Sequence, residues 1–229
     1  MMDFRCISCG ARIMTLTVQY SPENIRLVKC DQCRAIADEY IECEIMILLI
    51  DLILHEPKAY RHLLHNALNP TITDSKELIW LSTFIYLFLD AYRLFILKNS
   101  GNEGAMSMGL SSLVWRYQMA LFHVFFTNLI FFLIFLFGAR ILLQKSDVPR
   151  HRDIVLTVVI SSFLKIFLLA FMVWEFPSSV IFIIDIFVLS SNMVALKVMS
   201  GAAVNKCMVV ICLAAHAAKF FTDQLFGGF

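Results

Sequence analysis

Long apolar runs separated by short polar connections fill the chain from residue 78 onward. A run of about 20 mainly apolar residues is long enough to cross the hydrocarbon core of a bilayer as a helix. The second run contains no Asp, Glu, Lys or Arg between Met119 and Ala139, whereas Asp185 interrupts the fourth. The pattern predicts five membrane spans: Leu78–Leu97, Met119–Leu143, Ile154–Trp174, Val180–Lys197 and Ala203–Phe221.

A shorter apolar stretch, Ile41–Leu54, precedes these runs and carries Glu42, Glu44 and Asp51. Its length and acidity are more typical of an interfacial or re-entrant helix than of a span. Pro57 is expected to end or kink it. The basic, histidine-rich segment that follows, Lys58–Asn66, is predicted to lie at the level of the lipid headgroups.

The first 40 residues are polar and contain strand and turn signals. Arg12–Tyr20 and Ile25–Lys29 are predicted strands, and Ser21–Asn24 has the composition of a turn. A Cys-x-x-Cys pair stands at each end of this hairpin, which is the outline of a zinc ribbon. We therefore predict a mainly α, polytopic helical membrane protein with about five spans, an interfacial helix and a small N-terminal β zinc ribbon. Its parts would be a ribbon at 1–40, an interfacial segment at 41–77 and a helical transmembrane domain at 78–229.

The composition agrees with a membrane protein. Hydrophobic residues make up 59% of the chain, charged residues only 16%, and the mean hydropathy is +0.76. Soluble domains usually have about 45–50% apolar and about 25% charged residues. Lipid is therefore the expected solvent for much of the chain, and a soluble enzyme is not expected. The net charge of +1 gives no reason to expect a nucleic-acid partner.

Four cysteines form the strongest local motif. Cys6 and Cys9 form one Cys-x-x-Cys pair, and Cys30 and Cys33 form the other. Four thiolates at this spacing favour a structural zinc ion, held in a closed and non-catalytic site. A redox pair would need a βαβ context that is missing here, and two disulfides would need an oxidising compartment. The remaining cysteines are predicted to be buried apolar thiols: Cys43, Cys207 and Cys212.

Basic residues near the predicted span ends indicate an orientation. The connection at 144–153 contains Lys145, Arg150 and Arg152, whereas the connection at 175–179 contains no basic residue. No apolar segment precedes Cys6 that could serve as a cleavable signal. The positive-inside rule then predicts a cytosolic N-terminus and a lumenal C-terminus.

Two sets of polar residues are candidate sites besides the cysteines. The first is a possible interface for a lipid headgroup or a protein partner, although a solvated linker would have the same composition. The three histidines of this region, at 55, 62 and 65, match no familiar metal-ligand spacing. The interface residues are Asp51, His55, Tyr60, Arg61, His62 and Asn66.

The second set lies inside the predicted spans and comprises Asp90, Arg93, His123, Asn128, Lys165, Asp185, Asn192 and His216. Of these, Lys165 and Asp185 could pair across a helical hairpin. Such a pair indicates either a polar pathway or ligand cavity, or a buried ion pair that fixes helix packing. No nucleophile–base set, nucleotide-binding loop or zinc-protease motif is present. The chain is therefore not expected to be an enzyme.

These residues resemble the Arv family of endoplasmic-reticulum lipid-homeostasis proteins. The resemblance covers roughly the first 66 residues, a region called the Arv homology domain, and the stretch from Val173 to Met199 looks like plant members in particular. It depends on the four cysteines together with three further segments: Tyr20–Pro22, Ala37–Glu42 and Asp51–Asn66.

The resemblance implies a multi-pass protein of the endoplasmic-reticulum membrane that serves sterol distribution and sphingolipid balance. In some members it also implies a role in an early step of glycosylphosphatidylinositol assembly. Two function classes follow. One is a protein that binds or transports a sterol, sphingolipid or glycolipid in its helical bundle. The other is a non-enzymatic scaffold whose zinc ribbon docks onto a membrane lipid-biosynthetic enzyme.

Overall fold

The computed structural model describes residues 4–21, 24–68, 75–99, 110–142, 151–172, 174, 177, 179–200 and 205–226. The chain divides into two compact units, Met1–Ile79 and Trp80–Phe229. The predicted division into three parts stays a prediction, and its break at residue 40 falls inside the first unit.

The first unit contains two small antiparallel sheets of two strands each. Strand β1 (Phe4–Arg5) pairs with β2 (Arg12–Ile13), and β3 (Thr17–Ser21) pairs with β4 (Asn24–Leu27). Phe4, Leu16 and Ala37 form a small apolar core in this unit.

The predicted single strand Arg12–Tyr20 is wrong, because β2 ends at Ile13 and β3 begins at Thr17. The break lets each half pair with a different partner, and Leu16 points into the apolar core instead of following the strand alternation. The predicted hairpin with the second strand is present as β3 and β4. Residues 22 and 23 of its predicted turn lie outside the described residues.

Short helices complete the first unit. A 3₁₀ turn (Glu39–Ile41) is followed by α1 (Ile45–Ile53), by α2 (Pro57–Arg61) and by a π-helical turn (His62–Ala67). Nine helical residues extend about 14 Å, so α1 is too short to cross a bilayer core of about 30 Å. Most of its apolar side chains are nevertheless exposed, among them Ile45, Met46, Ile47, Leu49 and Ile50.

Five longer helical segments follow. They are α3 (Ser75–Asn99), α4 (Leu110–Leu142), α5 (His151–Ser161) with its 3₁₀ continuation (Ser162–Met172), α6 (Ser179–Ser200) and α7 (Asn205–Phe226). Each overlaps one of the five predicted spans. Among the described residues, two stretches are long and apolar enough to cross a membrane, Val114–Gly138 and Ser179–Met199.

Neighbouring helices in the second unit run antiparallel. Tyr86 contacts Asn128 while Phe95, later in α3, contacts Tyr117, earlier in α4. In the same way α4 and α7 meet both at Phe131 with His216 and at Gly138 with Ile211. A buried apolar cluster joins four of these helical segments: Phe131, Phe135, Ile154, Val158, Leu196, Ile211, Cys212 and Ala215.

Candidate functional site

The four cysteine sulfurs of the first unit converge on one point. All four Sγ atoms lie within 4.8 Å of one another. The distance between the sulfurs of Cys6 and Cys33 is 3.7 Å, and that between Cys9 and Cys30 is 3.6 Å. A tetrahedral ion about 2.3 Å from each sulfur would separate the sulfurs by about 3.8 Å. The donor set and its spacing therefore fit a four-thiolate metal site.

The two cysteine loops have the same backbone hydrogen bonds. In each loop the first cysteine donates its N–H to the carbonyl five residues later and accepts a bond from the N–H four residues later. These bonds are Cys6 to Ala11 (2.8 Å), Gly10 to Cys6 (2.9 Å), Cys30 to Ala35 (2.8 Å) and Arg34 to Cys30 (2.8 Å). In each loop the residue four positions after the first cysteine has a positive φ, 79° at Gly10 and 62° at Arg34. The glycine adopts this conformation without a steric penalty, whereas Arg34 accepts one to complete the loop.

Backbone amides and neighbouring sulfurs act in opposite directions on these thiols. The amides of Cys33 and Gln32 lower the pKa of Cys30 to about 7, because they donate to its sulfur. The Ala11 amide acts in the same sense on Cys9, but burial and the three nearby sulfurs raise the pKa of Cys9 to about 12. Four thiolates this close repel one another, so a bound cation would stabilise them together.

Arg61 fastens α2 to the first cysteine loop. Its Nη1 donates to the carbonyl oxygen of Ile7 at 2.5 Å and to that of Ser8 at 2.9 Å. Both carbonyls belong to the two residues between Cys6 and Cys9. The guanidinium therefore holds the loop that presents the first pair of sulfurs.

A buried carboxylate, Asp38, joins the same region to the π-helical turn. Its Oδ2 accepts a bond from Asn66 Nδ2 at 2.6 Å and lies 2.7 Å from His62 Nδ1. Asn66 also donates to the carbonyl of Arg5 and accepts a bond from the Arg5 N–H, both at 2.9 Å. The Asp38 Oδ1 caps the 3₁₀ turn by accepting from the Tyr40 N–H at 3.1 Å. The Asp38 carboxylate therefore connects the 3₁₀ turn with the π-helical turn and, through Asn66, with strand β1.

The remaining residues predicted for a lipid or partner interface also bond within the first unit. The Tyr40 hydroxyl donates to Asp51 at 2.7 Å, and burial together with this carboxylate raises the pKa of Tyr40. The buried Tyr60 donates to the Leu52 carbonyl at 3.0 Å. His55 occupies a turn with a φ of 63°. The hydrogen bonds of Asp51 and Tyr60 give these two side chains a structural role within the first unit. Direct binding of a lipid headgroup by the predicted residues stays a prediction.

The second unit contains a charged cavity of about 330 Å³ that opens to its surface. At its centre the carboxylate of Asp90, which is buried, accepts a bond from Lys165 Nζ at 2.8 Å and pairs with Lys219 through its other oxygen. Asn128 donates to Asp90 at 2.9 Å and accepts from Lys219 at 2.9 Å. The Lys165 ammonium also lies 3.7 Å from the centre of the Tyr86 ring.

The predicted pairing of Lys165 with Asp185 is wrong. Both side chains line the cavity, but Asp185 accepts two bonds from Arg93, at 3.0 and 2.5 Å, and Lys165 bonds Asp90. The Asp90 side chain is 3% exposed and that of Asp185 is 31% exposed. A fully buried carboxylate needs close cations more than a partly solvated one does, which favours the observed arrangement.

Two residues of this cavity were not predicted among the polar residues inside the spans: Tyr86 and Lys219. Spacing gives a partial signal, because Asp90 and Arg93 are three residues apart, as are His216 and Lys219, and such pairs share a helix face. Of the other cysteines, Cys212 is buried as predicted, Cys43 is only half-buried, and the Cys207 side chain lies outside the described part.

We expect Asn66→Ala to loosen the first cysteine loop. The change removes both bonds to the Arg5 backbone and one bond to Asp38, and a buried polar group left without its partner costs about 1–3 kcal/mol. Hydrogen exchange of the full chain should show faster exchange at the Arg5 amide. Lys58→Ala, which removes an exposed ion pair with Glu39, should leave that rate unchanged. Equal exchange in the Asn66 variant and the unmodified protein would contradict the role assigned to Asn66.

Comparison with known proteins identifies the relatives of this chain. The model of the Arv1-like family matches residues 5–196. Protein ARV 1 of Arabidopsis thaliana is 47% identical over 224 residues, which cover 98% of this chain and 89% of that protein. Protein ARV 2 of the same plant is 46% identical, with coverages of 97% and 94%. A Dictyostelium discoideum protein, "Protein arv1 homolog", is 29% identical, with coverages of 84% and 83%. No solved structure gives a significant match. The family model covers most of the sequence and two plant relatives align over nearly all of it, so the chain belongs to the Arv1-like family.

Proposed function

We propose that the protein mediates sterol distribution and sphingolipid balance in the endoplasmic-reticulum membrane, by binding or transporting lipid in its helical unit and without enzymatic chemistry. The observation that carries this proposal is the charged cavity of the mainly apolar helical unit. Ionisable groups are costly in hydrocarbon and tend to mark ligand or ion pathways. The sterol and sphingolipid roles come from the resemblance to the Arv family described above.

The walls of the cavity suit an amphiphilic ligand. Its polar side contains the network around Asp90, and its apolar side contains Phe182, Ile186, Phe220 and Phe221. These four apolar side chains are exposed on the surface of the second unit, where lipid would contact them. A molecule with a polar group and an apolar body could therefore satisfy both sides at once.

We propose five spans, formed by α3, α4, α5 with its 3₁₀ continuation, α6 and α7. The α5 segment consists of 11 α-helical and 11 3₁₀ residues, which together extend about 38 Å. The 25 residues of α3 extend about 37 Å and the 22 residues of α7 about 33 Å. All three exceed the hydrocarbon thickness of about 30 Å. The buried ion pairs explain how α3 and α7 can carry charge at that depth.

Single-cysteine labelling tests this span count. The connections at 144–153 and 175–179 are separated by one helical segment, so Ser146→Cys should label from the cytosolic side and Ser178→Cys from the lumenal side. Both variants would be made in a chain without the other reactive cysteines outside the metal cluster. Labelling of both positions from one side would rule out a span between them.

We propose that α1 lies at the membrane surface. Its exposed apolar side chains are unfavourable in water, and it is too short to span. The basic Lys58 and Arg61 that follow in α2 suit an anionic membrane surface, although Arg61 also bonds the first cysteine loop. In this arrangement the cytosolic part of the protein is anchored along the membrane plane.

We propose that Cys6, Cys9, Cys30 and Cys33 hold one structural zinc ion. The tetrahedral spacing of the sulfurs and the amides directed at them support this assignment. With four protein sulfurs as ligands, such an ion has no open position and would stabilise the fold of the ribbon.

Metal analysis of the purified full chain should return one zinc per molecule. Cys30→Ser should reduce zinc to a small fraction, because binding and folding of such sites are coupled, whereas Cys43→Ser should retain it. Arg61→Ala should still bind one zinc but release it faster to a chelator, since the loop of Cys6 and Cys9 loses its clamp. A folded metal-free ribbon, or a disulfide between the pairs, would contradict the proposal.

Complementation tests the lipid function. In cells that lack their own Arv1-like protein, the intact chain should restore sterol distribution and sphingolipid levels. Lys165→Met should fail to restore them at normal protein abundance, because the cavity loses a cation while Asp90 keeps Lys219. Lys197→Met removes an exposed lysine of α6 that does not line the cavity, so it should rescue fully. Full rescue by Lys165→Met would show that the cavity does not carry the function.

A second candidate function is a scaffold for a membrane lipid-biosynthetic enzyme, such as one in glycosylphosphatidylinositol assembly. Exposed apolar residues on the first unit favour a docking role: Met14 is 70% exposed, Tyr20 71% and Ile25 57%. The double change Tyr20→Ser with Ile25→Ser should abolish rescue if docking carries the function. If the cavity carries it, that variant should rescue and Lys165→Met should not.

A further inference from the structure

We propose that the cavity of the second unit binds the anionic phosphate headgroup of a membrane lipid, with Lys219 as the principal ligand. This rests on the proposed lipid function and goes further by naming the chemical class of the lipid. A sterol or another uncharged lipid would not use the charge that the cavity contains.

Cations outnumber carboxylates among the described residues that line the cavity. Three are cations, Arg93, Lys165 and Lys219, and two are carboxylates, Asp90 and Asp185. An excess of cations in this lining favours the binding of an additional anion.

Lys219 is the side chain best placed to meet that anion. Its ammonium group has three N–H donors, and two bond Asp90 and Asn128. The Lys219 side chain is 13% exposed and its ammonium lies 5.5 Å from the centre of the Tyr86 ring. Lys165 is 5% exposed, and its ammonium lies closer to that ring, at 3.7 Å. A phosphate oxygen near Lys219 could accept its third donor in a charge-assisted bond.

The depth of the charges matches a headgroup held just below the membrane surface. Arg93 lies six residues before the end of α3, Asp185 six after the start of α6, and Lys219 seven before the end of α7. These ends lie on the same side of the unit, because neighbouring helices alternate in direction. At 1.5 Å per residue the charges are about 9–11 Å from the helix ends.

The lipid chains have an apolar path beside this site. Phe182 and Ile186 of α6, and Phe220 and Phe221 of α7, line the cavity and are also exposed on the outer surface. The cavity therefore meets that surface between α6 and α7. Acyl chains could stay in the bilayer along these side chains while the phosphate reaches Lys219. A free inorganic anion has no acyl chains, so it would not use this apolar path.

Photo-crosslinking of the full chain in phosphatidylcholine nanodiscs tests the proposal. The probes are phosphatidic acid and diacylglycerol with the same photoactivatable acyl chain, so they differ only in the phosphate. Phosphatidic acid should label peptides of α6 and α7 at least fivefold more than diacylglycerol. Lys219→Met should lower this labelling about tenfold, in line with the loss of one charge-assisted bond, while Asp90 keeps Lys165.

Two further variants control for misfolding. Asp185→Asn removes a negative charge from the cavity and should raise labelling by phosphatidic acid severalfold, the opposite direction to Lys219→Met. Lys197→Met changes an exposed lysine of α6 outside the cavity and should leave labelling unchanged. A loss of labelling in all three variants, or no opposition between the two cavity variants, would overturn the assignment.

Two more comparisons distinguish a failure of the phosphate-headgroup proposal from a failure of the proposed lipid function. Inorganic phosphate at millimolar concentration should not displace the lipid probe, and displacement would assign the cavity to free phosphate instead. Equal labelling by both probes, with a photoactivatable sterol also bound, would overturn the phosphate headgroup and leave the proposed lipid function standing. Absence of labelling by every lipid probe would overturn both.

Discussion

The buried carboxylate of Asp90 is the constraint on which the second unit depends. A charge at this depth in an apolar bundle is tolerated only with close counter-charges and hydrogen bonds. Asp90 obtains them from Lys165, Lys219 and Asn128, so a single side chain on α3 connects to the 3₁₀ segment, to α7 and to α4. Apolar packing between such helices is weakly directional in lipid, because the lipid tails are as apolar as the helix surfaces. The ionic network therefore specifies which helices adjoin and at what register.

In the first unit, too, a buried carboxylate connects several segments of the chain. Asp38 is fully buried, and it connects the start of the 3₁₀ turn to His62 and Asn66, while Asn66 in turn binds the backbone of β1. Arg61 adds a second clamp on the first cysteine loop. Arg61 and Asn66, which follow α1, thus hold the loop that presents the sulfurs of Cys6 and Cys9, more than 50 positions earlier in the sequence.

The sequence was sufficient to predict the long helical segments but not which of them are neighbours. Hydropathy located all five long helical segments, and Cys-x-x-Cys spacing located the cluster of Cys6, Cys9, Cys30 and Cys33, because both signals are local. The pairing of Lys165 was wrong because it depends on α3 lying beside the 3₁₀ segment, and hydropathy contains no information about helix neighbours. Arg61 and Asn66 looked like surface ligands because a polar side chain has the same sequence signal whether it bonds water, a headgroup or a distant carbonyl. The predicted strand Arg12–Tyr20 is interrupted at Leu16, because the Leu16 side chain packs with Phe4 in the apolar core instead of following the strand alternation.

The two ends of the helical bundle would respond differently to a voltage. The charged groups lie near the ends of α3 and α7 and the start of α6, whereas Phe135, Ile154 and Leu196 lie nearer the end of α4, the start of α5 and the end of α6. A polar, polarisable region supports little electric field. If the five helical segments span a membrane as proposed, a potential across it would fall mainly over the apolar cluster of phenylalanine and aliphatic side chains.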